Sequence, residues 1–256
     1  MKTSIWILIL TATTTSCQRG DRVAARDEKA EDALVALLLD VERLEDHRPS
    51  RIGIGFFVSA RATVLTAAHM VPTTHPVVLV YKSGAATSCG VAATVVKRDT
   101  RLDLALLQPV QPLSPPKFLR LDLQKTPARG QPVVILTLLT VRPRELNEES
   151  YYAAAAFPGT VVAVLREGRL LTDVPAYSGI SGSPIVDPSS GNVVGIGMKR
   201  FDLFYDEELT LARANGTTVS LAVPPISYAI GRCLNWARDF LAGVGDVDSG
   251  TTRQGM

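Results

Sequence analysis

Short apolar runs recur along the chain from residue 51 onward, and turn-forming residues separate them. Runs such as ATVLTAA, PVVLVYK and PVVILTLL are rich in β-branched residues, and pairs such as Ser83-Gly84 and Glu167-Gly168 lie between runs of this kind. This composition favours strands joined by turns. Many short strands without long helices between them predict an all-β barrel or sandwich. The proline-rich residues 111–130 predict a connector between two sheet units.

Two other segments show a helical rather than an alternating pattern. In residues 26–46 the apolar positions recur at spacings of three and four with charges between them, which predicts an amphipathic helix. We expect it to be a strut between the N-terminus and the domain, with a partner-binding helix as the alternative. A second stripe near the C-terminus predicts a packing helix and consists of Ile226, Ala229, Ile230, Cys233, Trp236 and Phe240.

The N-terminal residues have the pattern of an export signal. Lys2 precedes a short apolar run, and small and hydroxyl residues follow up to Cys17. This run is too short for a lasting membrane anchor and predicts a signal peptide over residues 1–16. The segment resembles the bacterial lipoprotein processing site, which implies lipidation of Cys17 and a place in the cell envelope. Gln18 would favour outer-membrane retention, and ordinary signal-peptidase cleavage with secretion is the alternative.

Composition narrows the classes of partner and of protein. The chain of 256 residues holds 27 Lys+Arg and 25 Asp+Glu, a formal net charge of +2, with 46% hydrophobic residues. This excludes a disordered chain and argues against nucleic acid as the main partner. Without Cys17, an exported chain retains Cys89 and Cys233. They form either a disulfide or two buried free thiols, and the sequence leaves both open.

Three residues in separate stretches have the chemistry of nucleophilic catalysis. His69 follows an apolar strand in VLTAAHM, where an imidazole can face a cleft as a general base. Asp103 lies among leucines in RLDLALLQ, and a carboxylate there needs a donor such as a histidine N–H. Ser181 lies in GISGSPIV, where flanking glycines let the N–H groups of Gly179 and Ser181 point at one carbonyl oxygen.

The strings TAAH, DLALL and GISGSP, in the order His, Asp, Ser, resemble a trypsin-like (chymotrypsin-fold) serine peptidase. LLTDVPAYSGISGSPIVD is most similar to the bacterial HtrA-type branch. The resemblance runs from Gly53 to the C-terminal helix and implies two six-stranded antiparallel barrels with the active site between them. It implies that Ser181 attacks a peptide carbonyl, that His69 carries the proton and that Asp103 orients the imidazole. The N–H groups of Gly179 and Ser181 would form the oxyanion hole.

The domain boundaries expected from this reading follow the change of pattern along the chain. They are a signal peptide at 1–16, a tether and helix at 17–50, a first barrel at 51–122, a second barrel at 123–226, a C-terminal helix at 227–243 and a tail at 244–256.

Departures from the family pattern bear on activation and specificity. Ile180 precedes the nucleophile where digestive members carry an aspartate, so their zymogen mechanism is not expected. Pro175 occupies the position at which trypsin-type members carry the acid that binds a basic substrate side chain. This argues against specificity for Lys or Arg and favours small or medium apolar substrate side chains. A preference for acidic groups through Lys199 or Arg200 is the alternative. The residues expected at the substrate are Pro175, Ala176, Met198, Lys199 and Arg200.

The remaining expectations concern cofactors, assembly and the competing function. No spaced His/Cys cluster predicts zinc, and no cofactor is expected. No PDZ-like region follows residue 241, so an HtrA-type oligomer is not implied, and the expected partner is a polypeptide substrate. The competing hypothesis is a catalytically silent trypsin-fold lipoprotein that binds peptides or an envelope partner without cutting them.

Overall fold

The chain folds into two closed antiparallel barrels of six strands each. The computed structural model describes residues 30–39, 50–71, 77–83, 87–113, 117–141, 151–175, 179–203, 209–212, 218–221 and 226–244. The predicted architecture of two six-stranded barrels is confirmed. None of the helices within these ranges is long and apolar enough to cross a membrane.

The first barrel closes in the order β1-β2-β3-β6-β5-β4. Its interior is filled by side chains such as Phe57, Val64, Leu79 and Leu107, each fully buried. The strands are β1 (Leu34–Leu39), β2 (Ser50–Phe57), β3 (Val64–Ala67), β4 (Val77–Ser83), β5 (Thr87–Asp99) and β6 (Leu104–Pro109).

The second barrel closes in the order β10-β11-β14-β9-β8-β7 and is joined to the first by the predicted connector, which holds none of the named strands. A separate hairpin pairs β12 with β13. The strands are β7 (Pro132–Val141), β8 (Tyr151–Val164), β9 (Arg169–Thr172), β10 (Pro184–Val186), β11 (Val193–Leu203), β12 (Leu209–Ala212), β13 (Thr218–Leu221) and β14 (Ile226–Cys233).

The helix predicted over residues 26–46 is wrong, because Leu34–Leu39 is the first strand of the first barrel. Val35 and Leu37 lie in the interior of that barrel. Leu34 and Ala36 lie in the core cluster that also holds second-barrel residues. A strand buried on both faces is an unbroken apolar run without polar alternation, so its spacing also fits a helix. The first barrel therefore begins well before residue 51.

The C-terminal helix is shorter than predicted. Residues Ile226–Cys233 form β14, which pairs with β11 and β9 and closes the second barrel. A 3-10 turn, Leu234–Ala237, and a single α-helical turn, Arg238–Leu241, follow. The Lys97 ammonium donates to the Phe240 carbonyl at 2.6 Å, which fastens this turn to the first barrel.

Of the two alternatives left open by the sequence, a disulfide or buried free thiols, the structure has Cys233 as a free, buried thiol. It lies in the second-barrel core with Val133, Ile135 and Val194. Burial raises the pKa of Cys233 to about 11. The side chain of Cys89 and all of Cys17 lie outside the described residues.

The two barrels approach each other closely where Gly182 meets β2. Gly182 has φ +86°, and a Cβ there would overlap the Ile54 carbonyl oxygen. Only glycine combines this backbone conformation with so close an approach. The residue beside the candidate nucleophile is therefore also the point of backbone contact between the barrels.

Candidate active site

The first barrel brings His69 and Asp103 together through the pairing of β3 with β6. Ala67 at the end of β3 lies opposite Leu104 at the start of β6, so the next residue on each side leaves the sheet at the same place. His69 Nδ1 lies 2.8 Å from Asp103 Oδ2. The backbone N–H of His69 donates to Asp103 Oδ1 at 2.9 Å. The carboxylate thus holds both the ring and the backbone of the histidine.

Asp103 occupies a strained backbone conformation that its neighbours hold in place. Its φ is +57°, in the left-handed region that few non-glycine residues adopt. The Ala68 N–H donates to the Asp103 carbonyl at 3.0 Å. Asp99 Oδ1 accepts the N–H groups of Arg101 and Leu102, each at 2.8 Å. Asp99 therefore shapes the loop, and Asp103 is the carboxylate that contacts the histidine.

A guanidinium completes the support of His69. Arg98 on β5 donates through Nε and Nη2 to the Ala68 carbonyl, at 3.3 and 3.1 Å. That carbonyl and the His69 N–H belong to the same peptide group, whose N–H is bound by Asp103. Both ends of the peptide that carries the histidine are therefore anchored.

Ser181 lies on a tight turn of the second barrel between two glycines of positive φ, Gly179 at +94° and Gly182 at +86°. The turn is tied to β11, because Gly182 N–H donates to the Gly197 carbonyl and Gly197 N–H donates to the Ser183 carbonyl. The buried Ser183 hydroxyl donates to Thr137 Oγ1 on β7 at 3.0 Å. The turn is therefore bonded to two strands of its barrel.

The same turn docks onto the first barrel next to the histidine. The Ile54 N–H on β2 donates to the Ser181 carbonyl at 3.1 Å. The Thr66 hydroxyl donates to the Ile54 carbonyl at 2.6 Å, and Thr66 lies on β3 three residues before His69. The folding of the barrels thus brings the serine turn to the strand end that carries the dyad of His69 and Asp103.

The Ser181 hydroxyl donates to the carbonyl of Met198 at 2.6 Å. Met198 is the extra residue of a β-bulge, because the register of β11 with β14 shifts between Gly197 and Lys199. Bulges redirect backbone groups beside active sites. In the described residues the serine hydroxyl is bonded to its own barrel, and no hydrogen bond joins it to His69.

Comparison with known proteins agrees with this arrangement. A model of the trypsin-like peptidase domain matches residues 53–196, more than half of the chain and the whole stretch from β2 to β11 that holds His69, Asp103 and Ser181. This chain belongs to the trypsin-like peptidase family.

A solved structure, the serine endoprotease from Yersinia pestis, is similar in fold, with a TM-score of 0.53 at 20% sequence identity. The match covers 72% of this chain and 58% of that one, so the chain spans less than two thirds of the length of that enzyme. No curated protein sequence matches the chain. The prediction of a trypsin-like serine peptidase is confirmed at the level of family and fold.

For a trypsin-like peptidase, the residue before the nucleophile is of interest because it can carry an activating acid. Here Ile180 is buried in the core of the second barrel with Val174 and Ile185. An apolar side chain packed in this way offers no charged partner to a newly formed N-terminus.

The residues expected to contact the substrate differ in their exposure to solvent. Pro175 and Lys199 are exposed, and Arg200 lies on β11 with its side chain outside the described residues. The Met198 side chain is buried against Leu171 and Ile230, so it is the Met198 backbone carbonyl that reaches Ser181. Ala176 lies outside the described residues.

Sequence reasoning missed two arginines, Arg98 and Arg232, that donate to backbone carbonyls next to His69 and Asp103. Arg98 follows Lys97 near the end of β5, where two adjacent basic residues resemble solvent-facing positions. Arg232 offered a stronger signal, because it lies within the apolar segment ISYAIGRCLNWA and is 5% exposed. A buried guanidinium needs several acceptors, so an arginine in such a run indicates a site where backbone carbonyls converge.

Proposed function

We propose that this protein is an exported serine endopeptidase that hydrolyses peptide bonds through an acyl-enzyme on Ser181. The observation that carries the proposal is the dyad, in which one carboxylate holds both the imidazole and the backbone of His69. A carboxylate bonded to Nδ1 fixes the tautomer that leaves Nε2 free to accept a proton. This arrangement suits the deprotonation of a hydroxyl such as that of Ser181.

The proposed reaction follows from these roles. Ser181 Oγ forms a bond to the scissile carbonyl carbon while its proton passes to His69 Nε2, and the N–H groups of Gly179 and Ser181 stabilise the oxyanion. The C–N bond then breaks, and the leaving amine takes the proton from His69. Water, activated by the same imidazole, hydrolyses the ester and restores the serine. Asp103 remains ionised and stabilises the imidazolium.

The substrate backbone has a place on β11. β10 pairs with β11 only as far as Ile196, whereas β14 pairs with the other edge as far as Leu203. Beyond Ile196, one edge of β11 therefore has no partner strand among the described residues, and this edge begins beside Ser181. An extended peptide can pair there as an added strand. A substrate N–H on the Met198 carbonyl would replace the serine hydroxyl, which would then turn to His69.

The side chain favoured next to the scissile bond is small or medium and apolar, because Pro175 replaces the acid that basic side chains require. The exposed Lys199 at the start of this edge supports acidic groups as the alternative. Cleavage of a peptide library that varies this position distinguishes the two preferences.

A catalytically silent peptide-binding protein is the second candidate, and one observation favours it. The Ser181 hydroxyl donates to Met198 rather than to His69, although catalytic hydrogen bonds are often formed only in the substrate complex. A fluorophosphonate probe discriminates between the two. We expect an adduct on Ser181 that is absent in Ser181→Ala and suppressed in His69→Ala, with cleavage of casein. A folded protein without adduct or cleavage would be the silent binder.

Export and anchoring are a separate part of the proposal. The signal-like segment and Cys17 support a lipid-anchored protein of the cell envelope, with secretion as the alternative. The mass of the mature N-terminal peptide distinguishes a lipidated Cys17 from an unmodified cleavage product. Loss of the lipid mass in Cys17→Ala is expected.

A further inference from the structure

Arg232 projects from the last strand of the second barrel toward the loop of the first barrel that carries Asp103. Its Nε donates to the Leu102 carbonyl at 3.1 Å, and its Nη2 donates to the Arg101 carbonyl at 3.3 Å. Its Nη1 donates to the carbonyl of Glu167, in the turn before β9. One guanidinium therefore joins two turns from different barrels.

These contacts fall directly before the strained residue. Leu102 is bonded covalently to Asp103, whose φ of +57° is unfavourable for a side chain larger than glycine. Such a conformation persists only where its surroundings hold it. Asp99 holds the N–H groups of this loop, and Arg232 holds its carbonyl groups.

Burial makes this arrangement rigid and selective for arginine. Arg232 is 5% exposed, and burial, followed by the nearby charge of Arg169, lowers its pKa from the ordinary value. The planar guanidinium can donate to three separate carbonyls at once, whereas a lysine ammonium cannot present the same fork. No substrate contact is needed for this role.

We propose that Arg232 is a positioning residue that holds the Asp103 carboxylate on His69 Nδ1 from the opposite barrel. It acts through the Arg101–Leu102 backbone and touches neither the substrate nor the reacting atoms. Its consequence for turnover rests on the proposed function, whereas its effect on the dyad does not.

The experiment compares Arg232→Met and Arg232→Lys with a matched control, Arg238→Met. Arg238 also donates through Nε and Nη2 to a backbone carbonyl, that of Leu123, but in the connector. The direct readout is the tautomer of His69 in its neutral form, taken from the ring ¹⁵N chemical shifts. The second readout is kcat and KM for a casein-derived peptide.

We expect Arg232→Met to convert the Nδ1–H tautomer of His69 into a mixture with Nε2–H and to lower kcat on the order of 100-fold. KM should change far less, because the substrate edge of β11 is untouched. Arg232→Lys should lie between wild type and Arg232→Met. Arg238→Met should keep the wild-type tautomer and kcat.

A wild-type tautomer and kcat in folded Arg232→Met would overturn the inference, as would equal losses in Arg238→Met. If Arg232→Met shows no cooperative unfolding transition, Arg232→Lys decides by the same two readouts. A protein that fails to react with fluorophosphonate but loses the Nδ1–H tautomer in Arg232→Met would refute the peptidase proposal and support the positioning role.

Discussion

In the first barrel's part of the candidate active site, the two functional side chains bond to each other. In the second barrel's part, the serine hydroxyl instead bonds to a backbone carbonyl of the same barrel. His69 and Asp103 face each other across the ends of two paired strands and make two hydrogen bonds. Ser181 is anchored through its carbonyl and the glycines around it, while its hydroxyl rests on Met198. The register of β3 with β6 thus positions the dyad. The docking of the glycine-flanked turn onto β2 positions Ser181, the candidate nucleophile.

This difference separates two requirements of the proposed mechanism. The His69 and Asp103 side chains both belong to the first barrel, as does Arg98, and the second barrel contributes only the proposed support by Arg232. The alignment of the serine hydroxyl depends in addition on the contact between barrels at Gly182. It also depends on which group donates a hydrogen bond to the Met198 carbonyl. Substitutions in the two parts should therefore have different effects on catalysis and on stability.

The largest expected effect is that of Asp103→Asn, which breaks the dyad with little change of volume. The asparagine amide is uncharged and has one acceptor oxygen in place of two, so its NH2 group can face His69 Nδ1 and donate to it, which favours the Nε2–H tautomer. Such a change in a Ser-His-Asp site lowers kcat by about 10⁴-fold. Steady-state kinetics on casein peptides measures it.

The control for this prediction is Asp99→Asn. An asparagine oxygen can still accept the N–H groups of Arg101 and Leu102, so the loop should keep its shape and kcat should stay close to that of the wild type. Comparable losses in both variants would mean that Asp103 has no special role in the dyad.

The second prediction concerns the docking of the serine turn. In Gly182→Ala the new Cβ would overlap the Ile54 carbonyl oxygen at a φ of +86°, so the turn must withdraw from β2. The strain and the clash together should lower the free energy of unfolding by about 3 kcal/mol, and turnover should be lost. Denaturant unfolding measures the first effect.

Gly191→Ala is the matched control, because Gly191 has φ +74° with open space around its Cβ position. It should show only the backbone strain, about 1 kcal/mol, and keep its activity. Equal destabilisation of the two variants would contradict the close contact between barrels.

Both parts of the site could be predicted from local sequence, but their relation could not. The strings around His69, Asp103 and Ser181 each carry a local signal, a strand end, a charge in an apolar run and a serine between glycines. The bond from Ser181 to Met198 depends on a bulge in β11, which arises from long-range pairing with β14. Periodicity within one strand contains no information about that register.

The segments whose structure was predicted wrongly share one physical cause. Residues 34–38 and 229–233 lie in barrel strands and are buried on both faces, so neither stretch has the polar alternation that identifies a half-exposed strand. Apolar residues at spacings of three and four then occur by default. By contrast, Glu167-Gly168 forms the predicted turn between β8 and β9, where both residues have positive φ, because this preference of glycine is local.

The third prediction tests the peptide group that carries His69. Arg98→Met removes the two donors to the Ala68 carbonyl, while Asp103 keeps its hold on the His69 N–H. If the transition state loses about 1.4 kcal/mol, kcat falls roughly tenfold. Arg101→Met removes an equal charge from a nearby exposed side chain and should leave kcat unchanged. A similar fall in both would point to net charge rather than to the hydrogen bonds.

The smallest effect is expected far from the dyad, at a buried acid of the second barrel. Burial alone would raise the pKa of Asp187. Hydrogen bonds from Ser189, the charge of Lys125 and a hydrogen bond from the Ser190 backbone together outweigh burial, so the pKa lies below its ordinary value. Lys125 Nζ lies 3.7 Å from the Asp187 carboxylate, and Gln131 donates to it at 3.1 Å. The acid thus ties the end of β10 to the connector.

The sign of the pH dependence follows from this lowered pKa. Because an aspartate in the unfolded chain has a pKa of about 4, the charged Asp187 stabilises the fold above that pH. This contribution is lost as the pH falls through the folded-state value. Unfolding free energies measured from neutral pH to below pH 3 should show Asp187→Asn less stable than wild type at neutral pH, with the gap closing in acid. Ser189→Ala, which removes one donor, should reduce the pH dependence without abolishing it. Parallel curves for wild type and Asp187→Asn would show that this carboxylate does not stabilise the second barrel through its charge.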